Sequence, residues 1–577
     1  MKKHISLLLA IISVGFLVSC GGKHAQKKLR TAKGGINYGG VFRYNEVEDF
    51  RHLFPPNITE VASFRIGYQV YDGLVKFSQK DLSIQPALAE KWEVNENATK
   101  FKFYLRKGVK FHDDPCFPDG KGREVTAEDV KYCFDFICSA HPLNQMFWLV
   151  KDRVVGANEY HEASKSGNPP AEGVKGIKVI DKYTIEIELE RPFAGFLNIM
   201  GHSAFWIYPK EAFEKYGDEM RVKMVGTGPF RVKTIKEGEV VILERNPDYY
   251  GVDEHGNQLP YIDAIKVSFL KEKKSELLEF RKGNLDMVFK LPLEMIDQVV
   301  GELEEAKSGG NIEYYMQNTP ALAVQYYGFQ HKSDLFSNKY LRLAFNYAID
   351  RKKLVDFTLR GDGQVAEYGI VPKGFKKYQY DSLKGYRFDP ELAKEYLAKA
   401  GYPGGKGLPE ITLNLNSGGS INIQVAEAIQ SMLKENLGVN LKLEVMPFAQ
   451  HLENLETGKA MFFRTAWVAD YPDPENFLNL LYGKNVPESL SEKSYINSVR
   501  YQNAKFDSLF EKALQTVDNA ERYRLYRMAD QVQLDDAAVM PIYYDEFTRL
   551  ISKKVKNFPA NAMEIRDLST VYFKDDK

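Results

Sequence analysis

Along residues 101–106 apolar and polar side chains alternate, with Phe101, Phe103 and Leu105 interleaved by Lys102, Tyr104 and Arg106, the period-two pattern of a strand with one wet face. A second alternation runs over 183–189 and stops before Arg191 and Pro192. Residues 40–44 read as an earlier strand and 71–77 as a turn into another. Thr126 stands where a helix N-cap belongs and Asp129 answers from the third position, a capping box. Gly226, Thr227, Gly228 and Pro229 form a turn feeding a strand from Phe230, and another strand follows over 241–245. Pro229 lacks the amide a phosphate-cradling loop would use, and no Gly-Lys-Ser/Thr follows it.

Downstream the pattern becomes regularly α/β. Asp389 and Pro390 supply an N-cap and a first-turn proline for a helix over 391–400, which Gly401 closes. A strand over 411–415, a helix over 423–437 ended by Gly438, and a strand over 441–445 make a crossover, which calls for a partly parallel sheet with ligands at its strand ends. A last helix over 520–534 leads into a strand over 539–544 that returns the chain toward its first half. No internal repeat is evident, which disfavours solenoids and propellers.

One stretch carries candidate chemistry. Residues 461–468 are apolar and aromatic with Arg464 as the one cation, and Pro472 and Pro474 then remove backbone donors and end the strand. Asp470 therefore sits at the strand's mouth. An Arg and an Asp six positions apart, with Trp467 between them, suit a ligand bearing both a cation and an anion around an apolar body. Free peptides are such ligands. Each residue also has an ordinary structural role open to it: Asp470 as a turn cap, Arg464 in a salt bridge between strands, Trp467 in core packing.

The amino terminus adds an address. Lys2 and Lys3 precede an apolar run over 5–18 that is short for a membrane span, the layout of a secretory signal. Its end, Leu17, Val18, Ser19, Cys20 and Gly21, resembles the bacterial lipobox, which implies cleavage before Cys20 and acylation of that residue. A polar segment rich in Gly and Lys follows and reads as a tether needing no fold of its own. With 27% charged and 44% hydrophobic residues and no second long apolar run, the rest is a globular body outside the cytoplasm. Basic and acidic residues both number 78, and loss of Lys2 and Lys3 leaves a net charge of −2, which argues against nucleic acid as a partner. Beyond Cys20 only Cys116, Cys133 and Cys138 remain. A disulfide from Cys116 to Cys133 or Cys138 and simple buried thiols are both open.

Several blocks together resemble the family 5 extracellular solute-binding proteins, the dipeptide and oligopeptide receptors of ABC importers. They are Tyr71 to Leu74, Pro86 to Trp92, Phe101 to Phe111, Thr126 to Val130, Gly226 to Phe230, Arg342 to Arg351, and the stretch from Arg464 to Phe477. The resemblance runs from about Gly40 to the end and departs from many members in the longer segment 112–122. It implies an α/β periplasmic-binding-protein fold of type II: two lobes with mixed sheets, a hinge between them, and an extra subdomain inserted in the first lobe. The implied division is 1–19 signal peptide and 20–39 lipidated tether. The first lobe is then 40–76 with 203–318 and 540–577, the inserted subdomain 77–202, and the second lobe 319–539.

In that family the residue matching Asp470 pairs with the peptide's α-amino group. Trp467 and Arg464 would complete the ligand site from the second lobe, Arg464 by meeting a carboxylate. Glu46 and Val47 follow the first strand, where the first lobe pairs its backbone with an extended ligand. Glu46 could equally be a solvated side chain. The implied partners are a peptide or other small solute, an ABC permease with its ATPase, and a membrane through the lipid anchor; the expected state is a monomer in the cell envelope. Non-peptide solutes such as a metal chelate or an oligosaccharide are the alternative, because this fold does not fix its ligand. No enzyme is expected: His-Glu-x-x-His and Gly-x-Ser-x-Gly are absent, and the ten His lack metal-ligand spacing, so neither cofactor, metal nor catalytic residue is called for. An adhesin or structural lipoprotein would share the anchor but leave the stretch from Arg464 to Asp470 unexplained.

Overall fold

Hydrophobic alternation is converted into three main sheets. The structure, a computed structural model, describes residues 29–574 except 194, 309, 376–377, 418–419 and 517. The expected signal peptide and Cys20 lie outside the described residues. Part of the expected tether is built into the body: Arg30–Thr31 pairs antiparallel with Asn37–Tyr38, and Tyr38 packs edge-on against Tyr261 at 5.6 Å. The Arg30 and Arg245 guanidinium groups also lie over the Tyr38 ring. The polar composition of this segment concealed these three contacts of Tyr38.

The first sheet orders strands Phe230–Lys236, Val240–Arg245, Ala264–Ser268 and Val41–Asn45, the last pair parallel. The second, made of Ala89–Val94, Lys100–Leu105, Thr184–Glu188 and Ile177–Asp181, is wholly antiparallel and carries the two alternating segments read from the sequence. Phe101 and Phe103 are fully buried beneath it, while Lys102 pairs with Glu186 on the wet face. Beside this sheet, helix Ala127–Cys138 begins in the expected capping box, the Thr126 amide donating to Asp129 Oδ2 at 2.8 Å.

The largest sheet runs Met287–Phe289, Val539–Ser552, Tyr314–Phe329, Phe462–Val468, Ile411–Asn416, Leu441–Met446, with Gln364–Val365 added to the edge of Val539–Ser552. The expected parallel crossover is present, Ile411–Asn416 and Leu441–Met446 joined through helix Ser420–Leu437. One long strand was not anticipated from the sequence, and another, Val539–Ser552, runs well past the expected 539–544. Tyr314–Phe329 and Val539–Ser552 pair over nearly their whole lengths, with the register shifting between Pro320 and Val324. Proline at 320 offers no amide to the ladder, so an irregularity there costs little.

The block from Arg342 to Arg351 holds the start of the second long strand. The Arg342 guanidinium donates to the carbonyls of Phe336, Ser337, Asp536 and Ala537, Asn346 to Val539, and Arg351 to Pro541 at 2.6 Å. Gly226 and Gly228 lie against the Val70 carbonyl, where a β-carbon on either would come within 2.1 and 2.7 Å of that oxygen. This close approach is why the turn there is glycine-rich. Cys116, Cys133 and Cys138 are all free thiols, which removes the disulfide option; Cys133 Sγ instead bonds to the Tyr208 carbonyl at 3.3 Å. Among the described residues no helix is long and apolar enough to cross a membrane.

Candidate functional site

The Phe462–Val468 strand leaves part of its edge unpaired, and this decides what the site can do. It pairs with Tyr314–Phe329 along its full length, but with Ile411–Asn416 only at Phe462 and Phe463. The Ala469 amide donates to the Leu322 carbonyl and the Gln330 amide to the Met461 carbonyl, so odd-numbered residues address Tyr314–Phe329. Even-numbered residues turn the other way, and His451 Nε2 donates to the Arg464 carbonyl at 2.8 Å. Burial holds the His451 imidazole low, at about 4, so it meets that carbonyl as a neutral donor. The main-chain groups of Ala466 and Val468 therefore face away from their neighbour strand, with no partner there among the described residues. Both residues line a cavity of about 430 Å³.

Asp470 stands just past this edge with its side chain 26% exposed. Its amide donates to Asn476 Oδ1 at 3.0 Å, and Asn476 Nδ2 donates to Asp470 Oδ2 at 3.4 Å. The other carboxylate oxygen lies 3.6 Å from His202 Nε2. His202 is buried, and its Nδ1 accepts the Ala204 amide at 3.0 Å, which leaves the ring proton on Nε2, toward Asp470. Asp470 keeps room in the cavity for a cation.

Trp467 also depends on Asn476, donating its indole N–H to Asn476 Oδ1 at 2.8 Å. That indole donor is thus spent inside the protein. What remains is the ring, half-buried in the cavity wall and 6.1 Å from the Tyr495 ring. Arg464 donates to Asn416 Oδ1 at 3.1 Å and to Gln325 Oε1, and forms no ion pair among the described residues. The interstrand salt bridge weighed for it is absent there, and its charge faces the cavity uncompensated by direct contact.

Glu46 departs from expectation. It is neither solvated nor free, but 7% exposed and paired with Arg65 at 2.9 Å and Arg566 at 2.8 Å. Arg566 also meets Glu564, which meets Arg549, so three guanidinium groups share two carboxylates under the cavity. Burial opposes ionisation of Glu564, but Arg549, Arg566 and Arg65 outweigh it and hold the carboxyl below its usual range. The Glu46 carboxylate is committed to this cluster. Val47, half-buried beside it, lines the cavity, and neither its amide nor that of Glu48 has a partner among the described residues. Opposite, Asn416 Nδ2 reaches Glu48 Oε1 at 3.5 Å.

Sequence reasoning missed Asn476, His202, Asn416 and Glu60. Asn476 had a weak signal, being a short polar side chain in the same proline-bounded turn as Asp470. His202 had none, lying 268 positions from its partner. Glu60 also lines the cavity, and burial pushes its carboxyl up to about 7 despite contacts from Ser63 and the Arg51 amide. Among the described residues no group of three or more His, Cys, Asp or Glu is placed to hold a metal ion.

The family profile of bacterial extracellular solute-binding proteins, family 5 Middle, matches residues 83–488. The chain is 27% identical to the periplasmic oligopeptide-binding protein OppA of Salmonella typhimurium over 89% of each chain. It is 26% identical to heme-binding protein A of Haemophilus influenzae over 97% of each. Among solved structures it is similar to the periplasmic binding protein DppA of Helicobacter pylori in complex with the peptide STSA. There the TM-score is 0.79 and the identity 26%, with 93% of this chain and 99% of that one covered.

Proposed function

The chain belongs to the bacterial extracellular solute-binding proteins of family 5, and from that premise we propose that it is the substrate-binding component of an ABC importer that captures free peptides and delivers them to a membrane permease and its ATPase. The observation that carries the peptide reading is the open edge of Phe462–Val468 inside the cavity. An extended peptide adds to such an edge through its main chain, which reads peptides whatever their side chains. Asp470 then receives the α-ammonium, in a charge-assisted bond shorter and stronger than a neutral one. Val47 and Glu48 offer two further unpartnered amides. Trp467 supplies an apolar wall and Arg464 a cation for a carboxylate of the ligand. Glu46 serves the site indirectly, as counter-ion to Arg65 and Arg566.

Peptide uptake here depends on two lobes closing on the ligand. The first lobe is 40–76, 203–318 and 540–577, with 77–202 inserted, and the second is 319–539. The register shift between Pro320 and Val324 supports a hinge in the paired long strands. The lipobox-like sequence at Leu17 to Cys20 supports lipid anchoring at a bacterial membrane, with the body facing the periplasm; the receptor is read as a monomer with no catalytic step of its own. Mass spectrometry of ligand released from protein purified out of its native cells tests the reading. Peptides with free amino termini are expected; a heme, sugar or other non-peptide solute in their place overturns it.

A further inference from the structure

The open edge of Phe462–Val468 has a built end. Ile411–Asn416 pairs with this strand at Phe462 and Phe463 and then diverges from it. The helix Phe448–Glu456 packs beside Ile411–Asn416 and sets His451 into the wedge between the two strands. There His451 Nε2 donates to the Arg464 carbonyl at 2.8 Å, the separation of an ordinary inter-strand bond. Even-numbered carbonyls of this strand point away from Tyr314–Phe329, so the imidazole stands where the amide of a further strand would stand.

The ring is committed to that bond. His451 is 1% exposed at the wall of the main cavity, and burial keeps it neutral above about pH 4. Its Nδ1 has no partner among the described residues, so the neutral ring carries its one proton on Nε2 and spends it on Arg464.

Ala466 and Val468 each turn an amide and a carbonyl toward the same side. A peptide with its α-ammonium on Asp470 and its carboxyl end toward Arg464 runs opposite to the strand. An antiparallel partner exchanges two hydrogen bonds at every second residue. The pairs at Val468 and Ala466 are available, but the next in the series is Arg464, whose carbonyl is taken. A ligand amide brought opposite it has no acceptor, which in a cleft shielded from water costs more than the contact would gain. Asp470 and Ala466 are four positions apart. At ~3.3 Å per residue that is about 13 Å, the span of about four extended ligand residues.

We propose, given a peptide seated with its α-ammonium on Asp470, that His451 determines how long a peptide is read through its main chain, by capping the Arg464 carbonyl and ending the ligand's strand pairing at Ala466. Short linear peptides then use the whole of the edge, and longer ones bind by the same first residues and leave it thereafter. Beyond Arg464 the edge belongs to Ile411–Asn416, so removing the imidazole opens one more carbonyl and no more.

The test uses the full chain and alanine peptides of two to seven residues, each with a free amino terminus and an amidated carboxyl end so that Arg464 meets no carboxylate. Affinity by calorimetry should climb to about the fourth residue and then stay level. In His451→Ala it should climb for one or two residues further, by about fivefold, the worth of one hydrogen bond. His451→Gln, which keeps an N–H donor at similar reach, should restore the earlier limit. Thermal midpoints are followed alongside, since a purely structural His451 lowers the midpoint and leaves the length profile as it was. An N-methyl scan of the hexapeptide on wild type needs no variant: sensitive amides are expected only among about the first four residues. An unchanged length profile in folded His451→Ala, or a sensitive amide at the fifth or sixth residue in wild type, would overturn the proposal while leaving peptide capture intact. Binding of none of these peptides would overturn the peptide reading, and the role of His451 with it.

Discussion

Asn476 is the hidden support of the proposed ligand site, and its removal gives the most structured prediction. The side chain is 1% exposed and makes three contacts: it accepts from the Trp467 indole at 2.8 Å and the Asp470 amide at 3.0 Å, and donates to the Asp470 carboxylate at 3.4 Å. Asn476→Ala strands two donors at once. A buried donor left unmet costs about 1–3 kcal/mol. Trp467 and Asp470 are half-buried, so water recovers part of this and a total near ~2 kcal/mol is expected. Urea unfolding should show a lower midpoint at an unchanged slope. Peptide affinity by calorimetry should fall about tenfold or more, because both the aromatic wall and the carboxylate lose their orientation. Asn476→Asp separates the two roles. It keeps the acceptor for both donors but buries a second carboxylate beside Asp470, at the end of the site assigned to the ligand's α-ammonium, so affinity for a free amino terminus should recover more than stability. Unchanged stability and affinity in Asn476→Ala would refute the reasoning.

Other consequences follow from buried charge and from the proposed anchor. Glu46→Gln leaves three guanidinium groups with one carboxylate, and loss of one partner from such a buried cluster should cost about 3–5 kcal/mol in chemical denaturation. Asp530 is fully buried, accepts from Tyr378 at 3.0 Å and Gln533 at 2.8 Å, and is pushed by burial up to about 7. Its folded form therefore holds a proton that the unfolded chain releases from about pH 4 upward, so this group's contribution to stability declines from about pH 4 to pH 7. Asp530→Asn should flatten that decline in unfolding measured across the range. Cys20→Ala should lose acylation and leave the detergent phase in a partition assay, whereas retention there would remove the lipobox reading.

How much of this was legible from sequence depended on whether the signal was local. The capping box at Thr126 and Asp129 and the crossover from Ile411 to Met446 rest on short-range periodicity, and both appear where expected. The 16-residue length of Tyr314–Phe329 was not visible, because residues 321–329 are buried on both faces apart from Gln325, which erases period-two alternation, and Pro320 interrupts the run before them. The free edge at Ala466 and Val468 was likewise invisible, since it depends on where Ile411–Asn416 stops pairing. Asp470, Trp467 and Arg464 could be singled out because aromatic and charged types crowd one strand end. The commitment of Glu46 could not, because its partner Arg566 lies 520 positions away. The pairing of residues 30–38, the described part of the expected tether, was hidden for a similar reason: the segment is polar in composition, yet Tyr38 meets Tyr261 and Arg245, more than 200 positions away.

The central claim, that a free peptide is bound with its α-ammonium on Asp470, is tested most directly by a cycle in calorimetry. Wild type and Asp470→Asn are each titrated with one peptide in free and Nα-acetylated form. Truncating one partner of a shielded charge pair typically costs about 2–5 kcal/mol, roughly thirtyfold or more in affinity. Acetylation should cost wild type a similar amount and cost the variant little, since the counter-ion is already gone. Equal acetylation penalties in the two proteins, or tight binding of the acetylated peptide by both, would contradict the assignment.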